Sequence, residues 1–127
     1  MAVHLRQARD HADRHYADDL HLADLAQIAG LSRFHFHRLF TATYGLTPAA
    51  YLSARRIERA QDLLRTNLTV TEVCYAVGFS SLGSFSSRFR ELVGETPSAF
   101  QGRYAADGAP RIPGCYVFML GLAERQP

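Results

Sequence analysis

The chain lacks several kinds of residue and motif, and each absence excludes a class of protein. It contains no lysine and no tryptophan, so its positive charge comes from 14 arginines. No stretch approaches the roughly 18 consecutive apolar residues of a membrane-spanning helix, and no basic segment followed by an apolar run marks a signal peptide. Only two cysteines are present in 127 residues, without a CxxC pair, which argues against a disulfide framework. We expect a cytoplasmic protein with no membrane partner.

Motifs for catalysis and cofactor binding are also missing. The sequence contains no nucleophile elbow, no phosphate-cradling glycine loop and no zincin motif. His11 and His15 are one helical turn apart, which is a spacing that zinc uses. The simpler interpretation is polar side chains on the outer face of an amphipathic helix. We therefore expect no enzymatic activity, no cofactor and no metal.

Positive charge is concentrated in the middle of the chain. Residues 30–66 carry six arginines against two acidic residues, a net charge of +4, whereas residues 1–29 carry −2 and residues 67–127 are neutral. Arginine can grip a phosphate or a guanine through two parallel hydrogen bonds, which lysine cannot do. The exclusive use of arginine fits nucleic-acid binding, although codon bias is the simpler explanation for it.

An internal repeat is the strongest feature of the sequence. The segments GLS at 30–32, F at 40 and GLTPAAY at 45–51 recur as GFS at 78–80, F at 89 and GETPSAF at 94–100. The early positions are offset by 48 residues and the later ones by 49. The second copy therefore has one extra residue in its turn or in the early part of its second helix.

Each copy of the repeat is typical of a helix, a tight turn and a second helix. In the first copy, apolar residues at helical spacing predict a helix that Gly30 ends. Ser32 is then placed to cap the next helix, whose apolar face is Phe36, Leu39 and Phe40. An N-terminal helix over about 3–16 precedes this pair.

The second copy carries the same signals. Thr69 and Glu72 form a predicted capping box at the start of its first helix. Gly78 ends that helix, and Ser80 or Ser81 caps the next one.

Small residues precede both turns. Ala26 and Cys74 stand four residues before the two turn glycines, where helices that cross after a short turn must approach closely. We expect Cys74 to be a small buried residue. A reactive thiol is the alternative, but no basic neighbour in the sequence supports it.

The two copies are connected by a predicted linker helix. It begins at Thr47-Pro48, an N-cap followed by proline at the first helical position. After Pro48 it runs to Leu64 with no further proline and no glycine, which at about 1.5 Å per residue gives a rod of about 25 Å. The expected fold is all-α: an N-terminal helix-turn-helix subdomain at 1–46, the linker helix at 47–66, a C-terminal helix-turn-helix subdomain at 67–104, and an irregular or extended tail at 105–127.

Over about residues 5–104 the sequence resembles the AraC/XylS family of bacterial transcription regulators. The stretch at 51–64 is similar to that family's linker helix, and the stretch at 73–100 is similar to its second-unit signature. The resemblance implies a short stand-alone regulator that binds double-stranded DNA sequence-specifically. It implies recognition helices at about 32–43 and 81–93 in successive major grooves. Since two units in one chain can fill two grooves, we expect DNA binding as a monomer. The alternative is a helical protein-interaction module without DNA binding.

The first recognition helix provides the main candidates for DNA contact. Its outer face is expected to hold Arg33, Phe34, His37 and Arg38. Arg38 is placed to bind guanine O6 and N7, and His37 to reach a base edge. Phe34 either touches a thymine methyl group or packs under the helix. Ser32 and Arg33 are expected at phosphates, which position the protein without reading sequence.

The second recognition helix has fewer side chains than the first that can donate directed hydrogen bonds to bases. Its candidate DNA-binding residues are Ser81, Ser84, Ser87, Arg88 and Arg90. Leu82 and Gly83 depart from the family pattern, because they occupy exposed positions where polar residues that read bases are frequent. We therefore expect the first unit to define its half-site more sharply.

The tail from residue 105 contains an apolar run over 112–122 that is too short to span a membrane. We expect this run to be buried within the chain, or against RNA polymerase or another protein. The methionine directly before the first helix, together with this tail, favours a complete short protein.

Overall fold

Helices dominate the part of the chain that the computed structural model describes, which is residues 2–106. The seven helices in this part are α1 (Ala2–Arg14), α2 (Leu22–Ala29), α3 (Arg33–Tyr44), α4 (Pro48–Leu63), α5 (Val70–Ala76), α6 (Leu82–Val93) and α7 (Pro97–Ala106). The predicted all-α fold with two helix-turn-helix subdomains is confirmed. The predicted tail and its apolar run lie outside the described residues. None of the described helices is both long and apolar enough to cross a membrane.

The helices form two compact units. The first contains α1, α2, α3 and the beginning of α4, and it ends at Arg55. The second begins at Arg56 and contains the rest of α4 followed by α5, α6 and α7. Each unit has its own apolar core. In the first, the buried residues are Leu5, Ala8, Ala12, Tyr16, Leu25, Ala26, Ala29, Phe36, Phe40 and Leu52. In the second they are Ile57, Ala60, Leu63, Leu64, Val73, Cys74, Val77, Phe85, Phe89 and Phe100.

The turn between α2 and α3 is closed by a glycine in the left-handed conformation. Gly30 has φ 72°, and its N–H donates to the Gln27 carbonyl, while the Leu31 N–H donates to the Ala26 carbonyl. A side chain at this φ would be strained, so glycine ends the helix at little cost.

The turn between α5 and α6 repeats this arrangement with one more residue. Gly78 has φ 100° and donates to the Tyr75 carbonyl, and Phe79 donates to the Cys74 carbonyl. The next helix is capped at Ser81, three residues after the glycine, whereas Ser32 follows its glycine by two. The extra residue of the second copy therefore lies in the turn.

Small side chains do allow the helices of each pair to meet closely. Ala26 is 2% exposed and Cys74 is fully buried, as the sequence predicts. Burial raises the pKa of the Cys74 thiol. Since the thiolate is the reactive form of cysteine, this environment suits a packing role.

Five of the described helices begin at a side-chain cap, because a hydroxyl oxygen accepts a backbone N–H of the first turn at Ser32, Thr47, Thr69, Ser81 and Thr96. The hydroxyl oxygen of Ser32 accepts from the His35 N–H, and that of Ser81 accepts from the Ser84 N–H, each at 3.2 Å. The capping residue of α6 is therefore Ser81. At α5 the predicted capping box is present: Thr69 Oγ1 accepts from the Glu72 N–H at 3.1 Å.

The Glu72 side chain completes the capping box. Its carboxylate accepts from the Thr69 N–H at 3.0 Å. This backbone hydrogen bond, followed by that with the Thr69 side chain, holds the pKa of Glu72 below its ordinary value. Because the folded state favours the ionised carboxyl, this contribution is complete at neutral pH and is lost as pH falls through the lowered pKa.

The start of α2 is built differently from these five. His21 occupies the N-cap position without a side-chain cap. Its N–H instead donates to the Asp24 carboxylate at 2.9 Å. The acidic residue in the first turn thus provides one half of the capping interaction and also opposes the positive end of the helix dipole.

The recognition helices are packed by the same aromatic arrangement in both units. In α3, Phe36 and Phe40 are buried, with ring centroids 5.5 Å apart, and Phe40 meets Tyr51 edge-on at 5.6 Å and 77°. In α6, Phe85 and Phe89 are buried, with centroids 5.8 Å apart. The edge-on contact recurs between Phe89 and Phe100 at 5.5 Å and 76°. Burial on one side fixes the opposite side of each helix towards solvent.

A polar cluster attaches the start of α4 to α1 in the first unit. The Tyr51 hydroxyl donates to the Asp13 carboxylate at 2.7 Å, and Arg55 forms an ion pair with Asp13 at 3.1 Å. Burial, and then the hydrogen bond to Asp13, raise the pKa of Tyr51. The hydroxyl therefore stays protonated and keeps donating.

The capping box yields a direct test of the local folding argument. Thr69→Ala removes the oxygen that accepts from the Glu72 N–H, so we expect the free energy of unfolding to fall by about 1 kcal/mol. Denaturant unfolding followed by circular dichroism measures it. Thr71→Ala, an exposed change in the same turn, is the control and should stay within about 0.5 kcal/mol of the wild type. Equal losses in both variants contradict the capping role.

Candidate nucleic-acid interface

The outward face of α3 is made of the residues that the sequence predicts for DNA contact. Arg33, Phe34, His37 and Arg38 are all exposed on this helix. Phe34 is 81% exposed, so it does not pack under the helix. Neither Arg33 nor Arg38 forms an ion pair with another residue in the described part of the chain. Their guanidinium groups are thus available to an external anion or base.

These side chains line an open depression next to the start of α2. Its volume is about 780 Å³, and its described lining consists of Leu22, Arg33, Phe34, His37 and Arg38. The lining combines cationic donors with apolar surface. Arginine can bind guanine edges or phosphates, and an exposed aromatic ring can contact a thymine methyl group, so the chemistry matches a DNA major groove.

The outward face of α6 carries fewer long side chains. Ser81, Ser84, Ser87 and Arg90 are exposed, as predicted. The Ser81 hydroxyl already accepts from the Ser84 N–H, so Ser81 has a structural role in addition to any contact with DNA. Arg90 forms no ion pair within the described residues.

Arg88 differs from the other candidates on α6. It is half-buried, and its guanidinium lies 3.0 Å from the Glu91 carboxylate. This i, i+3 pair neutralises the charge of Arg88 along the helix surface. Of the two arginines predicted for α6, Arg90 is therefore the more available.

Counting from the cap residues shows which positions of the two helices are equivalent. Ser32 corresponds to Ser81, so the equivalents are Phe34 with Gly83, His37 with Ser86, Arg38 with Ser87 and Leu39 with Arg88. Arg88 thus occupies the position of a partly buried leucine, at the edge of the outward face. Ser86, which is half-buried, was not among the residues that the sequence predicts for DNA contact. A constant offset of 49 residues, counted from the buried phenylalanines, would have identified it.

The six arginines of residues 30–66 lie in different surroundings. Arg33 and Arg38 point outward, whereas Arg55 pairs with Asp13 and Arg59 pairs with Asp62 at 3.4 Å. Asp13 lies outside residues 30–66 and balances one of the four net charges, whereas Asp62 is already counted in the net +4. Of the other arginines in this stretch, Arg56 lies on α4 and Arg65 is exposed just after it, so α3 carries two of the six.

The histidines near the N-terminus do not gather into a metal site. His11 and His15 lie with ring centroids 4.4 Å apart, and His15 Nδ1 is 3.0 Å from the Asp18 carboxylate. Among the described residues, no group of three or more histidine, cysteine or acidic side chains is arranged to hold a metal ion. Burial, then the neighbouring His15, lowers the pKa of His11.

The fold and the outward surface of the recognition helices together define the class of protein. Two helix-turn-helix units in one chain, each with an outward-facing recognition helix, are a DNA-binding arrangement. The chain matches the helix-turn-helix domain family over residues 25–103. It belongs to this family and is a DNA-binding module of the AraC/XylS type.

Relatives in sequence are bacterial regulators. An uncharacterized HTH-type transcriptional regulator of Staphylococcus aureus is 33% identical over 99 residues, which cover 77% of this chain and 13% of that protein. The HTH-type transcriptional regulator ExsA of Pseudomonas aeruginosa is 32% identical over 96 residues, 75% of this chain and 34% of that protein. The chain therefore matches less than two thirds of the length of these relatives.

Solved structures give the same result for the fold. The DNA-binding domain of AdpA, crystallised in complex with a target DNA, has a TM-score of 0.78 at 31% identity, covering 82% of this chain and 95% of that one. A probable AraC family transcriptional regulator from Rhodopseudomonas palustris has a TM-score of 0.74 at 28% identity, covering 80% and 96%.

The difference between α3 and α6 generates a test of base reading. Arg38→Ala removes a side chain that can make two directed bonds to guanine, so we expect a loss of about 1–3 kcal/mol in binding and relaxed preference at one or two base pairs. Ser87→Ala, at the equivalent position of α6, should cost less and shift no preference. A competition assay in which every base pair of the site is varied measures both effects. If Ser87→Ala loses more specificity than Arg38→Ala, the assignment of base recognition to the first unit is wrong.

Proposed function

We propose that the chain is a sequence-specific, double-stranded-DNA-binding transcription regulator that acts in the bacterial cytoplasm without catalysis. The observation that carries this function is the outward face of α3. It presents two arginines, an 81% exposed phenylalanine and a histidine on a helix whose opposite side is buried. An aromatic ring so exposed has no role inside the described fold. A DNA groove supplies the apolar and hydrogen-bonding partners that this face lacks.

In this proposal the residues of α3 divide between reading and positioning. Arg38 binds guanine O6 and N7, His37 contacts a neighbouring base edge, and Phe34 packs against a thymine methyl group. Arg33, in the first turn, binds a phosphate. The Ser32 hydroxyl accepts from the His35 N–H and can still donate its own hydrogen to a phosphate oxygen.

The second recognition helix contributes mainly affinity. Ser84, Ser87 and Arg90 are exposed along α6. Serine contacts bases or phosphates with little preference, so these side chains position the unit more than they select a sequence. The two recognition helices occupy successive major grooves of one duplex. One chain thus fills one asymmetric site as a monomer.

To regulate transcription, a protein bound to its DNA site must also affect the transcription machinery. We propose RNA polymerase as the second partner, contacted by surface that remains free when α3 and α6 are bound to DNA. Tyr75, which is 55% exposed on α5, is one such apolar position outside the recognition helices.

Selection from a random duplex library tests the proposed function. We expect one enriched motif of roughly two helical turns with a sharper and a looser half. Sedimentation of the complex on the shortest enriched duplex should give one chain per site. Failure to enrich any motif favours the protein-interaction module instead, and two chains on the minimal site contradict monomeric binding.

Salt dependence tests whether phosphate contacts dominate affinity. With Arg33 and Arg90 at phosphates, the logarithm of the binding constant should fall against that of salt concentration with a slope of about −2. Arg33→Ala should make the slope shallower by about one. The matched control is Arg6→Ala, an exposed arginine on α1 that should leave the slope unchanged. A flat response in the wild type, or equal changes in both variants, contradicts the assignment.

A further inference from the structure

Gly83 is placed where the first unit has its most exposed aromatic residue. It is the second residue of α6, as Phe34 is the second residue of α3. Both positions face outward from the buried phenylalanines of their helices. The two units therefore present opposite extremes of side-chain size at the same point of the recognition surface.

The described structure contains no internal reason for glycine at this position. Gly83 is not among the glycines with positive φ, which in the described residues are Gly30, Gly45, Gly78 and Gly94. A Cβ atom built on Gly83 meets no described atom within 4 Å. Alanine would therefore fit both the backbone and the surrounding space. Since glycine is less favourable than alanine in a helix, folding alone favours the substitution.

The side chains next to Gly83 on the outward face of α6 are short. Ser86 and Ser87 carry only a hydroxymethyl group at positions equivalent to His37 and Arg38. Leu82 is the largest of the outward residues at the start of α6 and is 40% exposed. No long side chain at these positions holds a bound surface away from the helix backbone. Close approach of backbone to a ligand is one of the uses of glycine.

We propose that Gly83 is a determinant of DNA binding, because its missing side chain lets the backbone of α6 lie directly against the duplex. This inference rests on the proposed function. The contact is steric and is made to the wall of the groove, with no hydrogen bond to a base edge. The second half-site is thus selected by the shape and deformability of the DNA, while the first is read through side chains of α3.

A matched pair of glycine variants tests this role. Gly83→Ala and Gly102→Ala each add one methyl group to an exposed helical glycine whose Cβ meets no described atom within 4 Å. Gly102 lies on α7, outside both recognition helices. We expect both variants to melt at the wild-type temperature or above it. Gly83→Ala should bind the selected duplex about tenfold more weakly, comparable to the loss of one DNA contact. Gly102→Ala should bind as the wild type does.

A larger substitution shows whether the α6 backbone at Gly83 lies against the DNA or is separated from it by free space. Gly83→Phe installs the residue of the first unit, and close approach predicts weaker binding than Gly83→Ala shows. Wild-type or tighter binding by either Gly83 variant overturns the proposal, as does an equal loss in Gly102→Ala. These outcomes leave the proposed function intact, because the wild type still selects its motif. A wild type that selects no duplex overturns the function and this inference together.

Discussion

The buried phenylalanine pair of each recognition helix is the constraint on which the rest of the structure depends. Phe36 with Phe40, and Phe85 with Phe89, are at most 1% exposed. Truncating one such ring to alanine typically costs about 3–5 kcal/mol, a large part of the stability of a small domain. Because the pair buries one side of the helix, it also determines which residues face outward. The edge-on contacts with Tyr51 and Phe100 fix the rotation of each helix against the following one.

A common scaffold thus carries two different surfaces. Both units have the same turn hydrogen bonds, serine cap and aromatic packing, and these features concern only folding. The outward residues are not constrained by the fold and differ sharply. Arg38 has serine as its equivalent, and Phe34 has glycine. In our account, this divergence assigns base reading to the first unit and close fitting to the second, so a single chain combines side-chain readout with recognition of DNA shape.

The elements that sequence reasoning recovered are those set by short-range physics. Helix ends at glycines, caps at Ser32 and Thr69, and the buried faces follow from spacing and propensity within about ten residues. Features that depend on tertiary packing were not recoverable. The link from Tyr51 to Asp13 spans 38 residues, and the partly buried position of Arg88 beside Glu91 depends on how α6 packs. Whether Phe34 packed inward or faced outward also required the structure.

The central claim is that the outward faces of α3 and α6 both bind the major groove of one duplex. Methylation interference at guanine N7, an atom in the major groove, tests it most directly on a selected site with guanines placed throughout. The account predicts two windows of interference with centres about 10 base pairs apart. It also predicts that Arg38→Ala abolishes interference at one guanine of one window and leaves the other window intact. A single window, or interference confined to adenine N3 in the minor groove, would contradict the account.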